Sequence, residues 1–121
     1  MADLLAPIPG AAHSEVGGLI IDEVEAGDGR VKRVIYPAGW RWSERMQQVS
    51  GTERCQHAHV GFLVAGSMKV EQADGSITEF VAPAPVVVLP GHDGWVQGDE
   101  PAVLVQVDFG AETMQRMGLG A

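Results

Sequence analysis

The sequence has little cysteine, little basic charge and no long apolar segment. Its 121 residues include one cysteine, so an internal disulfide is impossible and a reducing cytosol is compatible. No apolar run approaches the ~20 residues that span a bilayer. The first ten residues contain no Lys or Arg, unlike a secretory signal peptide. We therefore predict a cytoplasmic protein with no membrane partner.

Basic side chains are also too few for a polyanion partner. Eight Lys and Arg stand against 16 Asp and Glu, which gives a net charge of −8. The basic residues are scattered along the chain, and phosphate recognition needs a concentrated basic surface. Nucleic acid is therefore not expected as a partner.

What the chain does have is a regular series of turns between short alternating segments. Sixteen glycines and seven prolines accompany about eight or nine such segments, at the ~8–12-residue spacing of a sandwich or barrel. Asp74-Gly75 between two of them is typical of a hairpin turn. We predict an all-β chain: a surface arm over residues 1–15, one barrel domain over residues 16–121 and a short helical turn over residues 112–117.

One segment carries a dense group of potential metal-ligand side chains. A carboxylate, a thiol and two imidazoles occupy every second position: Glu53, Cys55, His57 and His59. In an extended strand alternate side chains project from the same face, so the four are predicted to share a face. An aliphatic run that ends at Gly66 follows them.

Residues 57–66, the 74–75 hairpin and residues 86–91 resemble, in order, the two motifs of the cupin superfamily. These motifs read G-x5-H-x-H-x(3,4)-E-x6-G and G-x5-P-x-G-x2-H-x3-N. The resemblance spans residues 30–109 and implies a cupin-type jelly-roll (double-stranded β-helix) barrel. Residues 39–44 and 90–101 also resemble a bacterial subset of small single-domain cupins with degenerate metal motifs, which implies a shared pocket rather than a particular reaction.

Two alignments of the first motif remain open. If His57 and His59 are its paired histidines, its glutamate position falls on Leu63. If the glycine after the aliphatic run sets the register, the glutamate position falls on His59 and the histidine positions fall on Glu53 and Cys55. We prefer the second alignment, because a one-residue slip would turn every side chain to the other face. Both alignments direct His59 into the barrel.

The second motif is altered as well. Its ligand histidine falls on Gly94, and His92 lies two residues earlier, in the turn after Pro90-Gly91. By the resemblance this turn lies near the barrel mouth, which makes His92 a further candidate ligand.

The candidate metal ligands are therefore His59, Cys55, His57 and His92. Imidazole and thiolate together suit a divalent transition metal such as Zn, Fe, Ni or Cu rather than Mg. For His59 the alternative is a buried, hydrogen-bonded histidine without metal. For Cys55 the alternatives are packing and a nucleophile activated by His59, although no third orienting group is evident.

Five further side chains are candidates for a ligand pocket: Glu53, Trp40, Trp42, Glu44 and Trp95. Residues 40–46 are predicted to be extended, which would put Trp40, Trp42 and Glu44 on one face. The indoles would offer a stacking wall to a flat or sugar-like ligand. The alternatives are core packing for the tryptophans and solvated surface for the glutamates.

Two functions of different classes follow. One is binding of a divalent transition metal, a small-molecule ligand or both inside the barrel, with the reaction unassigned if the protein is an enzyme. The other, favoured by the altered ligand positions, is a non-catalytic cupin that binds or senses a small ligand without metal. A filled barrel that serves as an interaction module is a third reading. Because cupins commonly dimerise through strand or arm exchange, the resemblance also implies a homodimer.

Overall fold

Two antiparallel β-sheets face each other and enclose the core. The structure, a computed structural model, describes residues 3–119. Within them the strands are β1 (Ala12–Val16), β2 (Leu19–Ala26), β3 (Gly29–Tyr36), β4 (His59–Ala65), β5 (Ser67–Glu71), β6 (Ile77–Val81), β7 (Ala84–Val88), β8 (Asp93–Gln97) and β9 (Ala102–Asp108).

Strands that are distant in sequence pair within the larger sheet. Its order is β1-β2-β3-β9-β4-β7, and the smaller sheet has the order β6-β5-β8. Strands β5 and β6 form an antiparallel hairpin in which Gly75 has a φ of 87°, so the turn predicted from Asp74-Gly75 is confirmed. The all-β class is confirmed with it.

Alternation along each strand separates the core from the outer surface. Val34 and Tyr36 of β3 face inward, while Ile35 between them packs on the opposite side of the sheet with Val103. A strand directs successive side chains to opposite faces, and both faces of β3 are buried near its end. The inward residues of the two sheets form one core: Leu19, Val34, Tyr36, Trp40, Trp42, Leu63, Met68, Val70, Val86, Val88, Val96 and Leu104.

Gly61 allows β4 to pack closely against β9. A Cβ atom at this position would lie 2.0 Å from the Val105 carbonyl oxygen, far inside contact distance. Residue 61 is two positions from His59 on the same face of β4. The glycine therefore sets the strand spacing beside the residues described below.

Residues 40–46 differ from the extended structure predicted for them. Helices α1 (Trp42–Arg45) and α2 (Gln47–Ser50) occupy this region. The Ser43 N–H donates to Asp93 Oδ1 (3.0 Å), and Arg41 Nε donates to Asp93 Oδ2 (3.0 Å). Because the first N–H groups of a helix have no partner within it, a carboxylate from β8 stabilises this start. The periodicity of residues 40–46 cannot indicate this partner, because Asp93 lies far away in the sequence.

The predicted strand through Glu53 begins later, at His59. Cys55 instead makes an isolated bridge with His92: its N–H donates to the His92 carbonyl (2.8 Å), and its own carbonyl accepts from Gly91 N–H (2.7 Å). Residues 56–58 have no regular structure. The period-two argument therefore fails across them, and the four side chains do not share a face.

The first and last elements of the described residues are an edge strand and two short helices. Residues 12–15, predicted as part of the surface arm, form most of β1, which pairs with β2. A 3₁₀ helix (Gly110–Glu112) and α3 (Thr113–Arg116) follow β9, as expected from the sequence. No helix within residues 3–119 is long and apolar enough to cross a membrane.

Candidate metal and ligand site

A cavity of about 250 Å³ lies between the two sheets. Its wall is mostly aliphatic and aromatic, and the inward residues of both sheets line it. One part of the wall is different, because a thiol and two imidazoles meet there. That part is the candidate site.

The thiol and the imidazoles belong to Cys55, His59 and His92, called the Cys-His-His cluster below. One ligand atom from each lies within 4.8 Å of the other two. Cys55 Sγ is 3.7 Å from His59 Nε2, and the two imidazole rings meet edge-on with their centroids 5.0 Å apart. The Cys55–His92 backbone bridge and the first residue of β4 bring the three together.

Each histidine of the cluster has one ring nitrogen committed elsewhere. His92 Nδ1–H donates to the Leu89 carbonyl oxygen (2.7 Å), which can only accept. His59 Nδ1–H donates to Gln106 Oε1 (2.8 Å). In the neutral rings both Nε2 atoms therefore keep a lone pair for the cavity. Metal-binding histidines are commonly held in this way, because the second hydrogen bond fixes the tautomer and the ring.

Burial keeps the cluster uncharged. It lowers the pKa of His59 to about 4, with the nearby His92 acting in the same direction, while the Gln106 hydrogen bond opposes the shift. Burial also lowers the pKa of His92 and raises that of the Cys55 thiol. At neutral pH the three groups are therefore two neutral imidazoles and a thiol.

The donor set fits a transition metal. Zn–S and Zn–N bonds at tetrahedral angles place such atoms ~3.6 Å apart, close to the 3.7 Å between Cys55 Sγ and His59 Nε2. A modest shortening of the longer separations would complete the set. Three protein ligands leave one coordination position open, as in catalytic zinc sites. Binding would release the thiol proton.

The same atoms are poorly suited to a thiol nucleophile. Gln106 supplies the third, orienting group that the sequence did not reveal, so Cys55, His59 and Gln106 stand in the order of a nucleophile, base and orienter. However, the pKa of Cys55 is raised and that of His59 is lowered. Both shifts oppose proton transfer from sulfur to nitrogen, so the thiolate needed for attack is not formed.

Several other candidates also face the cavity. Trp40 and Trp42 are buried in its wall, and Trp40 Nε1–H donates to the Gly17 carbonyl (2.8 Å). His57 is exposed and lies at the rim, outside the Cys-His-His cluster. The preferred motif alignment assigns ligand positions to Glu53, Cys55 and His59; Cys55 and His59 meet, whereas Glu53 is exposed and outside the cluster.

Glu53, Glu44 and Trp95 lie outside this cavity. Glu53 is exposed in a shallow surface depression, and Glu44 is exposed on α1. Alternation in β8 turns its neighbours inward and Trp95 outward, where the Arg41 guanidinium lies 4.4 Å from the Trp95 ring centroid. The expectation that these three line the same pocket is not met: in each case the local backbone directs the side chain away.

Sequence reasoning passed over four polar side chains that reach the cavity: Tyr36, Gln106, Lys32 and Asp108. Their signal was the alternation of β3 and β9. Val103, Val105 and Val107 alternate along β9, so the residues between them share the other face, which lines the cavity. Lys32 and Asp108 pair with each other there, and the Lys32 hydrogen bond contributes to lowering the pKa of Asp108 against the effect of burial.

Comparison with known proteins identifies the fold. No protein-family model and no curated protein matches the sequence. A Cupin 2 conserved barrel domain protein from Salinispora arenicola is 16% identical, with a TM-score of 0.60 over 98% of both chains. The cupin domain of Schizosaccharomyces pombe Cnp3 is 14% identical, with a TM-score of 0.57 over 93% of this chain and 79% of that chain.

A third similar structure is hydroxypropylphosphonic acid epoxidase from S. wedmorenis in complex with fosfomycin. It is 10% identical, with a TM-score of 0.57 over 87% of this chain and 59% of that chain. At such identities the likeness concerns the fold alone. Together with the strand order, it shows that this chain is a cupin-fold protein, as the motif resemblance implied.

Proposed function

We propose that this cupin-fold protein binds a divalent transition metal through Cys55, His59 and His92 and holds a small-molecule ligand beside it. The observation that carries the proposal is the pairing of the two histidines. Each has its Nδ1–H anchored, to Gln106 or to the Leu89 carbonyl; His59 Nε2 lies 3.7 Å from the thiol, and one ligand atom of each of the three residues lies within 4.8 Å of the other two. Groups buried only for packing have no need of this arrangement.

The donor set favours Zn, with Fe, Ni and Cu as alternatives, because thiolate and imidazole are borderline to soft ligands. When bound, such an ion supplies Lewis-acid polarisation of an oxygen on the ligand or on water. The protein's own contribution is to orient the two imidazoles, exclude water with an apolar wall and leave a coordination position open. A structure of similar fold was determined in complex with a small molecule, fosfomycin, which is in keeping with a ligand inside this one.

Metal content after purification without a histidine tag tests the proposal. We expect near-stoichiometric metal by elemental mass spectrometry in the wild type, and its loss in His59→Ala, His92→Ala and Cys55→Ser. His57→Ala and Glu53→Ala are the matched controls, because each removes a predicted candidate that lies outside the cluster, and both should retain metal. Circular dichroism confirms that each variant is folded. Metal that survives loss of His59 would refute the assignment.

A second function is favoured by the apolar wall. A cavity lined mostly by hydrocarbon can hold a small ligand through area burial alone. The protein would then be a non-catalytic binder or sensor whose histidines serve as neutral hydrogen-bonding groups. A well-folded wild type that binds no metal after incubation with Zn, Fe, Ni and Cu, but is stabilised by small molecules in a thermal-shift screen, would favour this function.

A further inference from the structure

Tyr36 lies in the cavity wall, and the metal cluster does not use it. It is the only tyrosine of the chain, the last residue of β3, and 7% exposed. Its ring packs edge-on against Trp40, with centroids 5.1 Å apart and an interplanar angle of 69°. This packing fixes the ring, so the fold determines where the hydroxyl points.

The Tyr36 hydroxyl makes no hydrogen bond to any residue from 3 to 119. The cavity's other polar side chains are paired: Trp40 with the Gly17 carbonyl, His59 with Gln106, and His92 with the Leu89 carbonyl. A tyrosine whose side chain is mostly buried usually has a partner for its hydroxyl, so the lack of one among these residues calls for an explanation. Here the hydroxyl belongs to a residue that lines a cavity, which is where a ligand atom would supply the partner.

Electrostatics make this hydroxyl a donor close to the cluster. Burial raises the pKa of Tyr36 above its ordinary value, and Cys55 acts in the same direction. The phenol therefore keeps its proton at neutral pH and can donate it to an acceptor. Tyr36 and Cys55 line the same cavity.

The size, lining and charge of the cavity limit which molecule can carry the oxygen that accepts this hydrogen bond. Its volume of about 250 Å³ is below the range of about 300–1,000 Å³ for drug-sized ligands, so the occupant is small. The wall of the cavity is mostly hydrocarbon, including Leu19, Met68 and Phe80, so the body of the occupant is apolar. A divalent ion with one thiolate carries a net charge of +1, which favours an anionic oxygen.

We propose that Tyr36 is a ligand-binding residue, whose hydroxyl donates a hydrogen bond to an oxygen of a small carboxylic acid with a hydrocarbon body, lying between Tyr36 and the Cys-His-His cluster. The proposal rests on the proposed function in placing a ligand in this cavity and in the charge of the bound ion, which favours an anionic oxygen. Tyr36→Phe is the direct variant, because it removes the hydroxyl and keeps the ring against Trp40.

Benzoate and toluene are matched probes, since they share a ring and differ by the carboxylate. Titration calorimetry on zinc-loaded and on chelator-treated protein gives both affinities. We expect Tyr36→Phe to weaken benzoate binding about tenfold, the loss of one hydrogen bond to a charged group, with toluene binding unchanged. Phe80→Leu is the control, because it trims the apolar wall and should weaken both probes by the same factor.

The role of Tyr36 and the metal assignment are tested by different measurements, benzoate affinity and metal content. Equal benzoate affinity of Tyr36→Phe and wild type would overturn the role of Tyr36, as would wild-type protein that binds toluene but not benzoate, or binds neither. Metal content of Tyr36→Phe should equal that of wild type. If the wild type binds no metal but its benzoate affinity still depends on Tyr36, the metal assignment fails and the role of Tyr36 stands.

Discussion

Two groups of polar side chains lie on opposite faces of the six-stranded sheet. The Cys-His-His cluster faces inward to the cavity. On the outer face Asp22, Arg33 and His13 form a second group, in which the Asp22 and Arg33 side chains are almost fully buried. Both groups contain residue types that bind metals or transfer protons, yet the structure uses them differently.

The outer group is satisfied by the protein itself. Asp22 Oδ2 accepts from Arg33 Nη2, and Asp22 Oδ1 is 2.6 Å from His13 Nδ1. Arg33 Nη1 donates to the carbonyls of Leu4 (2.9 Å) and Ala6 (2.6 Å), which fastens the N-terminal segment over the sheet. Only Arg33 Nε among these buried atoms lacks a partner within the described residues. This group is structural, because its charges offset one another.

The inner group has the opposite property. The Nδ1 groups of its two histidines are paired, while one ligand atom from each imidazole and from the thiol lies within 4.8 Å of the other two, at the cavity. The comparison shows that residue type alone does not define a binding site. What marks the site is a set of side chains that hydrogen bonds hold in place and whose potential metal-ligand atoms, nitrogen and sulfur, lie at a cavity.

Breaking the outer group should have the largest effect on stability. Asp22→Asn keeps the shape of the side chain but leaves the buried Arg33 without its counter-charge, which costs about 3–5 kcal/mol in comparable pairs. Urea unfolding measures this loss. Asp99→Asn, at an exposed aspartate, is the control and should leave the unfolding free energy unchanged. A loss below about 1 kcal/mol for Asp22→Asn would contradict a structural ion pair.

Acid should destabilise the metal-free protein through the inner group. The pKa of His59 is about 4 in the fold against 6.5 when unfolded, so below pH 6.5 the unfolded chain takes up the proton more readily. The contribution of His59 to the free energy of unfolding is fully present above pH 6.5. It is lost as pH falls, by about 2 kcal/mol between pH 7.5 and pH 5.0. His92 acts in the same direction.

Urea unfolding of chelator-treated protein at the two pH values tests this sign. His59→Leu should remove most of the pH dependence, whereas His57→Ala, which removes an exposed histidine, should retain it. A metal-free wild type that is equally stable at both pH values would mean that His59 is not held neutral by burial.

The anchoring of the inner group should have a smaller effect. Gln106→Leu removes the acceptor for His59 Nδ1–H, and loss of such a partner weakens metal binding by 10–100-fold in other sites. We expect about tenfold here, ~1.4 kcal/mol, because His92 keeps its own anchor. Competition with a zinc chelator measures the affinity, and Gln97→Leu at an exposed glutamine is the control. Unchanged affinity would show that Gln106 does not hold the imidazole.

Local pattern accounts for the parts of this protein that were predicted well. The turns between short alternating segments predicted the all-β class, and Asp74-Gly75 predicted a hairpin, because side-chain period and turn geometry depend on neighbouring residues. The same reasoning failed over residues 40–46 and at Glu53. Over residues 40–46 a helix forms because its capping carboxylate comes from the distant Asp93. At Glu53 the prediction failed because the chain enters strand geometry only at His59, the first residue of β4.

The sequence by itself determined the all-β class, the cupin-type fold through its two motifs, and the residue types available for chemistry. Tertiary structure alone decided that Cys55 meets His92 through a backbone bridge, that Gln106 anchors His59, and that Tyr36 lines the same cavity with a hydroxyl that has no partner among residues 3–119. The reason is that the first two contacts join residues 37 and 47 positions apart in the sequence. Which faces meet across a cavity depends on how the sheets close, and no local period records that closure.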